Sequence, residues 1–198
     1  MLKEIQIIKE VYEKIWELAK PYLDTRKNDI HAESATQYAF RLLEKEGGDK
    51  TIVIPAILLH DVGWKCVPEE LHLKAFGPKA TLPEINRVHE VEGVKIAKEI
   101  LEKINYDQAK IEEILEIIDG HDSRKEPVSL NDKLVKDADK LWRYTKDAFQ
   151  INRKRFEQTF EQHLDRLRSK LDIWFLTDSG KKIARAEMEN RSKDSRDD

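Results

Sequence analysis

A single cysteine, Cys66, excludes an internal disulfide and any zinc site built on several thiolates. Seven glycines and six prolines in 198 residues leave little material for the many tight turns of an all-β fold. The longest apolar run, Ile52 to Leu59, is far short of the roughly 20 residues that span a bilayer, so no membrane association is expected. Charge of one sign is also missing. The 36 Lys and Arg face 39 Asp and Glu, a formal charge of −3. That balance argues against a general nucleic-acid binder, which needs a basic face, so no nucleic-acid partner is expected, while a local basic patch around a phosphate site stays open. Its opening residues, Met1-Leu2-Lys3-Glu4-Ile5, mix charged and apolar side chains without a signal-peptide core, which points to a cytoplasmic location. What is abundant is charge, at 38% of residues against 39% hydrophobic, as expected of one domain over 1–198 with salt-rich helical surfaces.

The hydrophobic periodicity is helical throughout. Ile5, Ile8, Tyr12, Ile15, Leu18 and Tyr22 recur at spacings of three and four, which predicts a first amphipathic helix within 1–24. Asn28 or Asp29 caps a second helix ending at Gly47-Gly48. Asp49 or Thr51 opens the apolar segment to His60, where periodicity alone does not separate helix from strand and the helical neighbours favour helix. Residues 62–82 read as a loop. Thr81-Leu82-Pro83-Glu84 predicts a helix start leading to about Ile104, and a further helix runs from Asp107 to Ile118. Ser129 caps a long helix that continues past Ala148. Another follows over 157–176, and Ser179 opens a short last one. The polar residues 191–198 read as a disordered tail. The fold class is all-α.

Polar side chains on apolar stripes carry the functional signal. His31 heads a stripe with Ala35, Tyr38 and Leu42; His89 shares a face with Ile85, Gly93 and Ile96; His121 extends the stripe Ile111, Ile114 and Ile118. Asp137 falls among Leu130, Leu134, Leu141 and Tyr144, where a buried carboxylate needs a metal, Lys or Arg as partner, while Asp139 points away. His60-Asp61 closes the most apolar segment, just before Gly63. Each of these alone has a plain structural explanation as a hydrogen-bonded core residue. Together they offer imidazole nitrogen and carboxylate oxygen, a donor set that suits divalent Fe, Mn or Zn. His72, in the loop, and His163, between Glu161 and Asp165, read as surface residues, with His72 the nearer to a pocket.

The ordered set His31, His60-Asp61, His89, His121 and Asp137 resembles the HD-domain superfamily of metal-dependent phosphohydrolases. Ala56-Ile57-Leu58-Leu59-His60-Asp61-Val62-Gly63 is similar to the central helix of that family, and Val135-Lys136-Asp137-Ala138-Asp139-Lys140-Leu141 to its closing segment. The resemblance covers about residues 29–144 and leaves 1–24 and 150–190 as accessory helices. It implies a compact helical bundle with a divalent metal on His31, His60, Asp61 and Asp137. It also implies a second metal on His89 and His121, with Asp61 bridging. Trp64 stands where the cyclic-dinucleotide branch carries Lys, and no Gly-Tyr-Pro tripeptide follows, so the sequence departs from that branch and cyclic dinucleotide cleavage is not expected.

The chemistry implied is cleavage of a phosphate ester or anhydride, in a nucleotide or related small molecule, by metal-activated water, with His60 and Asp61 as the catalytic pair. Fe or Mn are the first choices of metal, with Mg, Ni, Co or Zn also compatible. Lys65 and Arg124 are the expected phosphate-binding cations, whereas Lys140 and Arg143, turned from Asp137, read as surface charges. Asp122 and Glu90 are candidates for supporting the ligands. The same ligands would serve a di-iron oxygenase of the HD type, or a non-catalytic metal- or nucleotide-binding module. The apolar positions of the terminal helices suit a homodimer.

Overall fold

The computed structural model describes residues 2–194, with side chains from residue 9 onwards, and among them no strand occurs. Helix α1, Leu2–Leu23, buries Ile15, Ala19 and Leu23, as the three-four spacing requires. Ile5 and Ile8 of that stripe lie outside the described side chains. Helix α2, Asn28–Glu46, buries His31, Ala35, Tyr38 and Leu42 along one face and ends at Gly47, whose φ of 78° suits glycine.

Helix α3, Lys50–Leu59, resolves the ambiguity of the apolar run. Its N-cap is Asp49, whose side chain accepts from the Thr51 backbone N–H, and every residue from Ile52 to Leu59 is buried. It packs against α1, α2, α6 and α7, so no face is left for polar residues. Pro55 inside this helix lacks the N–H that would bond the Thr51 carbonyl. The Tyr106 hydroxyl donates to that oxygen instead, at 2.5 Å.

Residues 62–82, read as loop, contain a 3-10 turn, Val62–Cys66, and helix α4, Glu69–Ala75. Helix α5, Ile85–Lys103, starts four residues after the expected Thr81 cap. The backbone N–H groups of Thr81 and Leu82 are both held by the Lys74 carbonyl at the end of α4, which takes Thr81 out of the capping position. The 3-10 turn lies directly on α5. A Cβ at Gly63 would overlap the backbone oxygen of His89 and the backbone nitrogen of Gly93.

Helix α6, Gln108–Ile118, and helix α7, Leu130–Leu141, start at Asp107 and Ser129 as expected from their capping side chains. The long helix predicted beyond Ser129 breaks instead. A 3-10 turn, Trp142–Tyr144, ends at extended Thr145, whose hydroxyl caps α8, Lys146–Arg155. Thr159 and Gln162 form a capping box on α9, Phe160–Arg168. Hydrophobic periodicity ran through both threonines and concealed the breaks. Short α10, Leu171–Trp174, precedes α11, Asp178–Asp194, a full 17 residues rather than a short piece. Arg191 of the expected disordered tail is buried in that helix, and residues 195–198 lie outside the described residues. One cluster of buried side chains draws on helices from α1 to α11, from Ile15 to Met188. No helix among the described residues is long and apolar enough to cross a membrane.

Candidate metal centre

Five residues from four helix ends and faces meet in the interior. His31 comes from the first turn of α2, and His60 and Asp61 from the end of α3. His89 comes from the middle of α5, and His121 lies just beyond α6. All are buried, and His60 and His89 have no exposed surface. Ligand atoms of His31, His60 and Asp61 lie within 4.8 Å of one another, as do those of Asp61, His89 and His121. Asp61 divides its carboxylate between the two groups. Its Oδ2 is 3.5 Å from His31 Nε2 and 3.7 Å from His60 Nε2. Its Oδ1 is 3.7 Å from His89 Nε2 and 3.6 Å from His121 Nε2.

The donor set fits a metal. Nδ1 of His60 and of His121 bonds to the carbonyl oxygens of Ile57 and Ile118, at 2.8 and 2.9 Å, which places a proton on each Nδ1 and turns the Nε2 lone pairs inward. His31 and His60 then bring Nε2 atoms to 2.8 Å, and His89 and His121 to 3.1 Å. Inward-facing imidazoles beside a carboxylate are reconciled by a shared cation, and N/O donors of this kind suit Fe, Mn or Zn. Burial pushes the imidazoles of His31 and His89 down to about 4 and about 3, so both are neutral at physiological pH. Burial works the same way on His121, but its bond to Asp61 and the charges of Asp122 and Glu90 outweigh it and push the group up to about 9, so an ion bound there would displace a proton from Nε2. Burial would raise the Asp61 carboxyl, yet His60, His121, His31 and Arg26 together hold it well below the usual range.

Asp137 does not reach this cluster. Its carboxylate accepts hydrogen bonds from the backbone N–H groups of Leu176 and Thr177, at 2.8 and 2.9 Å, and from the Thr177 hydroxyl at 2.6 Å. It caps the start of α11 from across the interface and needs neither metal nor cation. Asp139, two residues on, takes the place expected of Asp137. Its Oδ1 lies 3.3 Å from His31 Nε2 and 3.8 Å from His60 Nε2. A single apolar stripe does not separate the two aspartates, because α7 is buried on both sides, from Leu134 to Asp139 without a break.

A layer of buried partners steadies the ligands. Trp64 donates from Nε1 to Asp61 Oδ1 at 3.1 Å and stacks on the His89 ring at 4.2 Å. Glu90, fully buried, accepts from the backbone N–H groups of Asp122 and Ser123 and from the Ser123 hydroxyl, which pins the turn carrying His121. Glu90→Ala is expected to cost about 2–3 kcal/mol, because it strands those donors. It should also weaken metal binding roughly 10–100-fold, as loss of an outer partner does elsewhere. Thermal unfolding and metal titration check the two numbers.

Above the cluster opens a cavity of about 360 Å³ that includes His31 and Asp61 in its wall. Its cations are not the expected ones. Exposed Lys65 bonds to the Asp24 carbonyl, and Arg124 to the Glu116 carbonyl and Asp132, and neither lines the cavity. Proximity in sequence to the HD turn and to His121 did not carry their side chains inward. Lys140 and Arg143 do line it, because both follow Asp139 to the inner face of α7. Lys140 bonds to Asp122 at 2.7 Å and to Asp139, and Arg143 bonds to Asp139 at 3.0 Å. Arg26, Arg155 and Arg166 complete the cationic wall. His163, read as a surface residue, is buried at the cavity wall, and His72 is buried beside Trp64.

Residues 28–144 match the model of the HD domain family. The chain belongs to the HD domain family. The matched span contains every residue of the cluster, and HD domains, a family of metal-dependent phosphohydrolases, bind divalent ions, as the two His/Asp groups here are able to do. A similar crystal structure, described as a predicted HD superfamily hydrolase from an uncultured Thermotogales bacterium, is 20% identical. It covers 99% of this chain and 95% of its own, with a TM-score of 0.63. The similarity of fold thus extends beyond residues 28–144 to the flanking helices. No curated protein matches the sequence.

Proposed function

We propose that this HD protein is a hydrolase of a phosphate ester or anhydride in a small phosphorylated molecule, a nucleotide in the first instance, working with two divalent ions, Fe or Mn. The observation that carries this reading is the division of Asp61 between two histidine pairs beneath a cationic cavity. His31, His60, Asp61 and Asp139 would hold one ion, and Asp61, His89 and His121 the other. Bound ions supply hydroxide near neutral pH and neutralise charge on the phosphoryl oxygens. The protein's own part is orientation. Lys140 and Arg143, each anchored on Asp139, present N–H donors to the phosphoryl group from the side of the ligands. Asp122, tied to Lys140 at 2.7 Å, is held ionised by that lysine and by His121, although burial opposes it, so it orients the lysine rather than taking up a proton. Trp64 and Trp142 close over His89 and His31 and exclude water from the ligand side.

Metal analysis of gently purified protein is expected to give about two ions of Fe or Mn per chain, falling to about one in His89→Ala. The loaded protein should release phosphate from p-nitrophenyl phosphate and from nucleotides. Oxygen uptake without phosphate release would replace this reading with di-iron oxygenase chemistry. Failure to take up any metal on reconstitution would leave a binding module.

A further inference from the structure

We propose that the substrate carries at least one phosphoryl group beyond the one that is cleaved, and that Arg155 and Arg166 bind this additional group. The inference rests on the hydrolase reading above and adds the class of substrate.

Five cationic side chains line the cavity against two carboxylates, Asp61 and Asp122. Two of the five are committed: Lys140 and Arg143 pair with Asp122 and Asp139. The other three have no carboxylate within ion-pair distance among the described residues. Arg155 spends two of its N–H groups on the Asn152 side chain and the Arg26 carbonyl, at 3.2 and 2.6 Å. The Arg166 guanidinium has no hydrogen-bond partner among the described residues. Arg26 buries Nε and Nη1 without a partner. Guanidiniums gathered in one cavity without an ion-pair partner repel each other, and burial together with Arg143 destabilises the charge of both Arg155 and Arg166, which Asp61 offsets only in part and only for Arg155. A cluster of this kind is costly unless an anion completes it.

The aromatic side chains fix how that anion is met. Arg166 lies over Phe156 at 4.7 Å, and Arg26 over Trp64 and Phe76 at 3.7 and 4.1 Å. Stacking occupies the face of a guanidinium and leaves its edge donors for a planar or tetrahedral oxyanion. Arg26 is held there by a backbone with φ 54°, in a turn where Lys27 is also left-handed, an unfavourable conformation for a long side chain. A single phosphoryl group at the ligand cluster is already served by the ions, Lys140 and Arg143. Three more guanidiniums exceed what a monoester needs and match a diphosphate or longer chain. Arg155 on α8 and Arg166 on α9 lie outside residues 28–144, so helices flanking the matched span, not the ones that carry the histidines, supply this preference.

Binding of methylenediphosphonate and of methylphosphonate to the purified full-length protein tests the proposal apart from catalysis, since neither is turned over by cleavage of a P–O–P or ester bond. Wild type is expected to bind the diphosphonate at least roughly tenfold more tightly. Arg166→Gln removes no hydrogen bond within the fold and should bring the ratio close to one; Arg155→Gln should reduce it, and Arg166→Lys, which keeps the charge but loses the stacked fork of donors, should fall between Arg166→Gln and wild type. Equal affinity in wild type, or an unchanged ratio in Arg166→Gln, would overturn the proposal. Phosphate release from p-nitrophenyl phosphate judges the hydrolase reading separately.

Discussion

Asp139→Ala is expected to lower metal affinity at the His31–His60 position by at least about 100-fold, beyond the usual effect of losing an outer partner. Activity should fall to background with it. Asp139 is the acidic group nearest His31, at 3.3 Å, and it also anchors Lys140 and Arg143. Its removal would take a carboxylate from beside His31 and free two cations there, so metal and phosphate binding are expected to fail together. Asp137→Ala should do the reverse. It leaves the backbone N–H groups of Leu176 and Thr177 and the Thr177 hydroxyl without their acceptor, at a cost of about 2–3 kcal/mol in stability, while the metal stays. Elemental analysis and thermal unfolding of the two variants separate these outcomes. Loss of metal from Asp137→Ala with full retention in Asp139→Ala would return the ligand role to Asp137.

The second large effect is expected at a residue without a side chain. Gly63→Ala should destabilise the protein by about 3 kcal/mol or more, because the new methyl meets backbone on α5 rather than a side chain that can turn aside. The 3-10 turn and α5 would have to separate, carrying Asp61 and Trp64 away from His89. Metal loss should therefore accompany the fall in melting temperature. Gly93→Ala is the control. A Cβ there would sit 3.5 Å from an Ile118 methyl, an ordinary contact, and the variant should fold and load metal. Equal tolerance of both substitutions, read by melting temperature and metal content, would show that the backbone approach at Gly63 does not matter.

The helices that carry the histidines were legible because each has one apolar stripe and a polar residue out of place on it. His31, His89 and His121 each lie where such a stripe meets the interior. The same reasoning misassigned the carboxylate on α7, since a helix buried on two sides has no single stripe to read. Lys140 and Arg143 were misread as a consequence, their orientation having been judged relative to Asp137. His163 was missed because Glu161 and Asp165 flank it in sequence, although Leu164 and Leu167 share its buried face. Arg26 had no periodicity to betray it. It occupies a left-handed turn, and only the fold brings Trp64 and Phe76 beneath it.

The two aspartates of α7 tie the beginning of the chain to its end. Asp139 faces His31 and Asp137 faces Thr177, back to back on one turn. Every residue of the cluster, from His31 to Asp139, precedes Thr177 in the chain and is therefore made before it. Until α11 is made and docked, the Asp137 carboxylate faces water instead of its N–H donors, so the rear of α7 is finished only after every donor of the cluster exists. A chain ended before residue 176 should therefore unfold at a lower temperature than the full chain while still holding His31, His60, Asp61, His89, His121 and Asp139.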